Sequence, residues 1–197
     1  MGRYWVKFSD GTSLGLYRQT VEDFGLYAGL ELEEDRMEVL KTAAGQMSAK
    51  MRAVRIVSAS SVSERDLEQR LVRKGEDPEQ AKAAVEWMAD LDLLDDRKTA
   101  EHIVQSCIRK GYGLQRAKQA LYEKKIPKHL WGEVLEDYPD MTESITDFLR
   151  TKLGAAWDDK ELKRAIDAAL RRGHSYGDIR KALAILQADA DEFPEEW

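Results

Sequence analysis

The chain has a single cysteine, Cys107, among its 197 residues. One cysteine excludes an intrachain disulfide and any cysteine-based zinc site. No apolar run is long enough to cross a bilayer. The opening residues, Met1 to Gly11, lack the apolar core and cleavage site of a secretory signal, and they do not fit a myristoylation signal. A cytoplasmic location without membrane association is therefore expected. A phosphate-cradling Gly-rich loop ending in Lys-Ser or Lys-Thr is missing, as is an HExxH pair. The three histidines, His102, His129 and His174, are scattered with no two at metal-ligand spacing, and they read as surface or helix-end residues. Neither a metal nor a cofactor is expected, and nothing marks the chain as an enzyme.

What is present is charge and periodicity. Charged residues make up 35% and hydrophobic residues 43%, the latter spread at helical spacing. That combination predicts a mostly helical globular protein. The net charge of −6 argues against coating nucleic acid through bulk charge, but its distribution is uneven. Residues 107–128 hold Arg109, Lys110, Arg116, Lys118, Lys124, Lys125 and Lys128 against Glu123 alone. Residues 160–181 hold Lys160, Lys163, Arg164, Arg171, Arg172, Arg180 and Lys181 against Glu161, Asp167 and Asp178. Acids gather at 31–38, 86–96 and 189–196.

A helical unit echoes three times. Leu67, Leu71 and Gly75 recur as Ala117, Leu121 and Lys125, and then in a shifted form as Ile166 and Leu170 ending at Arg172-Gly173. The period from Gly75 to Lys125 to Gly173 is roughly 50 residues, within the range of stacked helical repeats. A repeat of that size cannot bury its apolar face alone and must stack on its neighbours. The expected fold is mainly α: three tandem three-helix repeats in an elongated curved array, with a small N-terminal α+β extension.

The extension, 1–45, contains a β-hairpin turning at Asp10-Gly11, a short helix opened by a Thr20/Asp23 capping box, a third strand near Leu30–Leu32 and a helix stopped by Gly45. Repeat 1 covers 46–94, with N-caps at Ser63 and Asp77 and a stripe of Ala81, Val85, Met88 and Leu91. Repeat 2 covers 95–139. Its clearest amphipathic helix carries Ala100, Ile103, Val104, Cys107 and Ile108. Repeat 3 covers 140–187, with Leu162, Ile166, Ala169 and Leu170 inward, and an acidic tail follows at 188–197.

Asp95-Asp96 reads as a helix start rather than a catalytic carboxylate pair. Cys107 lies on an apolar stripe and reads as a small buried hydrophobe. Trp87, Trp131 and Trp157 read as packing anchors. Gly111-Tyr112-Gly113 reads as a helix break requiring positive φ that also aims Arg109, Lys110 and Arg116 outward. The basic clusters fall on the middle helix of a repeat and its adjoining turns. Stacked repeats would set those middle helices side by side and give one positive stripe. Its expected partner-binding residues are Arg109, Lys110, Arg116, Lys118, Lys124, Lys125, Arg171 and Arg172.

Four stretches, in order, resemble the RecX regulators of RecA recombinase. They are Arg52-Ala53-Val54-Arg55-Ile56 with Ser63-Glu64 and Leu67; Leu94-Asp95-Asp96; Arg109 to Gly113 continuing through Lys118-Gln119 and Leu121 to Lys125-Ile126; and Arg171-Arg172-Gly173 with Asp178-Ile179. Thr99, Lys125 and His174 depart from the family pattern. The resemblance implies three tandem three-helix repeats in an elongated, bent molecule; nothing in the sequence demands an oligomer, and a monomer is expected. The resemblance also implies binding in the groove of the RecA–DNA nucleoprotein filament. There such a protein inhibits ATPase, strand-exchange and coprotease activities in recombination and the SOS response. The second reading is a helical DNA-binding module whose basic middle helices grip the phosphate backbone. Such binding would show a steep salt slope and little sequence preference.

Overall fold

The computed structural model describes residues 2–154 and 157–192. It is mainly helical, with a two-stranded antiparallel sheet at the N-terminal end and three triplets of helices. The chain divides into two units, Met1–Asp95 and Asp96–Trp197.

In the first unit, β1 (Arg3–Lys7) pairs with β2 (Ser13–Tyr17) in the register Arg3 to Tyr17 and Lys7 to Ser13. The turn between them carries Gly11 at φ +85°, and the Asp10 carboxylate accepts from the Thr12 amide at 2.8 Å. Helix α1 (Arg18–Asp23) leaves β2 directly. Thr20, expected to cap this helix, is instead buried within it, and no side chain caps its start. The strand expected near Leu30 does not form: residues 30–33 have no regular structure.

Helix α2 (Glu34–Ala59) is one continuous rod of 26 residues. Gly45, expected to stop a helix, lies inside it. An interior glycine costs only about 1 kcal/mol relative to alanine. Here the side-chain amide of Gln80, from α4 (Pro78–Asp90), fills the space a Cβ would occupy. The boundary expected at residue 45 thus falls within one helix that serves two cores. Its first half places Leu40 and Ala44 against Leu16 beneath the hairpin. Its second half places Ala49 and Ala53 against Leu67 and Leu71 of α3 (Glu64–Arg73) and Ala81, Ala84 and Met88 of α4. Ser63 and Asp77 cap α3 and α4 as expected. Leu91 sits past the end of α4 and is about half exposed, so it does not continue the inward stripe.

The second unit contains α5 (Asp96–Arg109), α6 (Leu114–Glu123), a 3-10 turn (Lys128–Leu130) leading into α7 (Trp131–Leu135), then α8 (Thr142–Leu153), α9 (Asp159–Arg171) and α10 (Tyr176–Glu192). Helix α10 outruns the end expected at 187, and residues 193–197 of the expected tail lie outside the described residues. Ala100, Val104, Leu121 and Ile126 form one core, and Ile145, Leu149, Ala169, Ile179 and Ala182 another.

The helix ends explain the repeat. After α3, the Gly75 amide donates to Val72 O and the Glu76 amide to Leu71 O. After α6, Lys125 and Ile126 do the same to Tyr122 and Leu121, and after α9, Gly173 and His174 do so to Leu170 and Ala169. Each is a Schellman closure around a left-handed residue. Those residues are Gly75 at φ +90°, Lys125 at φ +58° and Gly173 at φ +86°. The third echo is therefore not shifted. Its true register is Ala165, Ala169, Gly173, with Leu170 turned partly to solvent. The residue after each left-handed position, Glu76, Ile126 or His174, is buried.

Candidate partner-binding site

Helix α9 begins with a complete capping box. The Asp158 carboxylate accepts from the Glu161 amide at 2.7 Å, and the Glu161 carboxylate accepts from the Asp158 amide at 3.1 Å. Its inward line is Leu162, Ala165, Ile166 and Ala169. Geometry then assigns the opposite side: Lys160, Lys163, Arg164, Asp167 and Arg171 fall within an arc of about 100°, and all five are exposed. Four cations and one acid thus share one face over about 16 Å of helix. None of the four cations forms an ion pair among the described residues. Of these, Arg171 is among the residues expected at the site. Lys160, Lys163 and Arg164 are not, although a helical wheel of about 100° per residue separates them from the core.

Helix α6 is different. Ala117 and Leu121 face inward, which puts Arg116 and Lys118 on opposite shoulders, about 160° apart. Both are half-buried, and the outermost strip is Gln115, Gln119, Tyr122 and Glu123. The Arg116 guanidinium reaches Glu123 at 3.3 Å. Lys124 and Lys125 lie at the far end of α6, both half-buried. The single stripe expected from the sequence is therefore split on α6 and continuous on α9.

The two middle helices are joined through their ends. The Gly113 amide donates to Arg172 O at 2.9 Å, and the Gln115 amide donates to Gly173 O at 3.2 Å. The unpaired carbonyls at the C-terminus of α9 thus satisfy the unpaired amides at the N-terminus of α6, with dipoles head to tail. Gly113 has φ −78°, which any residue adopts, so positive φ is required only at Gly111. Gly113 is demanded by contact: a Cβ there would collide with the Gly173 carbonyl.

Side chains lock this seam. The Arg172 guanidinium donates to Lys110 O at 2.5 Å and stacks between the rings of Tyr112, at 5.1 Å, and Phe148, at 4.6 Å. Arg172 is half-buried, and its guanidinium is engaged by groups of the protein itself. His174 is buried at 5% exposure, and its Nε2–H donates to Gly111 O at 3.1 Å. Burial, with Arg172 nearby, pushes its imidazole pKa down, against the opposing pulls of Gly111 O and Asp178. The Tyr138 hydroxyl donates to Tyr112 O at 2.7 Å, and burial pushes its pKa up to about 12.

Arg109 and Lys110 remain exposed at this seam, beside the end of α9 that carries Arg171. Cys107 is buried, and burial raises its thiol pKa while Arg116 and Lys110 pull it down. A buried, raised thiol is the inert kind. Among the described residues no group of three His, Cys, Asp or Glu side chains could hold a metal ion, and no helix is long and apolar enough to cross a membrane.

Known proteins resemble this chain in sequence and shape. Residues 95–135 match a family described as "RecX, second three-helix domain". A protein of Halorhodospira halophila named "Regulatory protein RecX" is 30% identical over 145 residues, covering 72% of this chain and 90% of its own length. A Streptococcus thermophilus protein of the same name is 24% identical over 197 residues, covering 98% of this chain and 76% of its own. A crystal structure of regulatory protein RecX superposes with a TM-score of 0.66 at 18% identity, covering 91% of each chain. RecX from Lactobacillus salivarius superposes at 0.62, also at 18% identity, over 74% of this chain and 99% of that one.

Proposed function

This chain belongs to the RecX family of regulatory proteins, and we propose that it inhibits RecA recombinase by binding in the groove of the RecA–DNA filament. The observation that carries this reading is the α9 face. Lys160, Lys163, Arg164 and Arg171 form a rigid cationic strip backed by an apolar core, on a chain whose net charge is −6. Such a strip suits a partner lined by phosphates and acidic side chains, while the acidic body disfavours indiscriminate binding to free duplex. Arg109 and Lys110 extend the cationic ground at the seam. Arg116, Lys118, Lys124 and Lys125 contribute from the shoulders and far end of α6.

A seated protein would obstruct entry of a second duplex and resist the protomer motions that accompany ATP turnover. ATPase, strand exchange and coprotease action would fall together, damping recombination and the SOS response. The test is RecA ATP hydrolysis on single-stranded DNA with this protein added well below the RecA concentration. The reading expects turnover to fall. Undiminished turnover with this protein in excess would refute it.

A further inference from the structure

The outward face of β1 presents Arg3, Trp5 and Lys7 at alternate positions, about 6.7 Å apart. Their partners across the ladder are Tyr17, Gly15 and Ser13. The opposite face, with Val6, Leu14 and Leu16, closes the small core on α2. Trp5 contributes little to that core: it is 68% exposed. By contrast Trp87, Trp131 and Trp157 pack against apolar clusters.

The surroundings of Trp5 are ordered and positive. Gly15 opposite it has no side chain, and the Arg3 guanidinium occupies the space where a Cβ would stand. That guanidinium lies 5.4 Å from the Trp5 ring and 5.8 Å from the Tyr17 ring. Cation–π attraction at this range holds the indole in place. The face carries two cations and no carboxylate. The nearest turn acid, Asp10, is tied to Thr12.

An exposed ring flanked by cations is the chemistry that stacks unpaired bases and tracks their phosphates. A protein partner would need exposed apolar surface around the indole, and the neighbours here are Arg3, Lys7, Ser13 and Gly15, with Tyr17 buried. A duplex hides the faces of its bases. We propose that this hairpin face is a binding surface for single-stranded DNA, with Trp5 as the stacking platform, Arg3 holding the indole and Lys7 taking a phosphate. The choice of DNA over RNA rests on the filament reading above; the stacking surface itself does not.

The test is fluorescence anisotropy of labelled oligo(dT) with the full chain and no RecA. Trp5→Ala should weaken binding roughly 5- to 160-fold, the loss of one stacked base, with the circular dichroism spectrum unchanged. Trp5→Phe should recover most of the affinity. Lys7→Ala should reduce the slope of log K against log salt by about 0.7. Trp5→Ala should leave binding to a duplex of equal length unaltered. Wild-type affinity in Trp5→Ala, an equal loss on duplex, or tighter binding of oligo(rU) would each overturn the proposal. So would a Trp5-dependent affinity for RecA protein without DNA. Trp5-dependent binding of oligo(dT) upholds it even if RecA turnover ignores the protein, a result that would instead overturn the filament reading.

Discussion

Gly113→Ala isolates the seam between α6 and α9. The backbone at Gly113 is ordinary, so alanine meets no conformational penalty there and gains about 0.4–1 kcal/mol through the unfolded chain. All destabilisation must come from the collision with the Gly173 carbonyl. Relieving it separates two backbone hydrogen bonds, from Gly113 to Arg172 and from Gln115 to Gly173. Each is worth about 0.5–1.5 kcal/mol net. If the turn retreats far enough to free the Arg172 guanidinium from Lys110 O, a charged donor adds about 1.5–3 kcal/mol. With mid-range values the net loss is about 1 kcal/mol from the two backbone bonds alone and about 3.5 kcal/mol if the guanidinium is also freed, read from urea unfolding. Amide exchange at residues 113 and 115 should accelerate in the same variant. Gly75→Ala is the contrast. Nothing lies within 4 Å of a Cβ there, and its φ is +90°. The left-handed backbone costs a residue with a Cβ about 1–2 kcal/mol, offset in part by the same gain through the unfolded chain. If Gly113→Ala unfolds within about 0.5 kcal/mol of wild type, with protection at 115 intact, the seam does not hold the second and third helix triplets together.

Lys125 adopts φ +58° where the other two repeats use glycine. Lys125→Gly should therefore raise stability by about 0.5–1 kcal/mol, measured by the urea midpoint. Glu76, buried after Gly75, accepts from Arg52 at 2.5 Å and Ser48 at 3.1 Å. Glu76→Ala leaves a one-third-exposed guanidinium without its carboxylate and should cost about 1–3 kcal/mol in thermal or urea unfolding. Burial lowers the His174 pKa in the folded protein, whereas the unfolded chain takes a proton near pH 6.5. The unfolded state therefore binds more protons, and the stability contributed by the neutral imidazole is present above about pH 6.5 and lost as pH falls through it. Urea midpoints at pH 8 and pH 5.5 should differ more in wild type than in His174→Gln.

Much of this was legible in the chain. Leu67, Leu71 and Gly75 announced a closed middle helix, and the same spacing found Lys125 despite its lack of a glycine. Ser63 and Asp77 marked their helix starts because their side chains bond amides two or three residues on, which is local chemistry. The third repeat misled because its positions 165 and 169 are alanines, so the larger Ile166 and Leu170 drew the register one residue along. Gly45 misled because a glycine stops a helix only when the chain needs to turn, and there α2 instead packs tightly on α4. The basic strip was visible as a count over 160–181, but counting along the chain mixes α9 with α10. Only the angular position of each residue separates Lys160, Lys163, Arg164 and Arg171 from the rest. The seam was out of reach because it pairs groups far apart in the chain, Arg172 with Lys110 and His174 with Gly111. From the sequence Arg172 reads as a partner-binding cation, whereas in the structure two aromatic rings and a carbonyl engage it.

The most direct measurement sets the charge of the α9 face against inhibition of RecA ATP hydrolysis on single-stranded DNA. Reversal of Lys160, Lys163, Arg164 and Arg171 to glutamate should abolish inhibition while helicity is retained, and Asp167→Lys, which removes the one acid on that face, should lower the concentration needed for half-inhibition. Equal potency of wild type, the fourfold reversal and Asp167→Lys would contradict the assignment of this face to the filament.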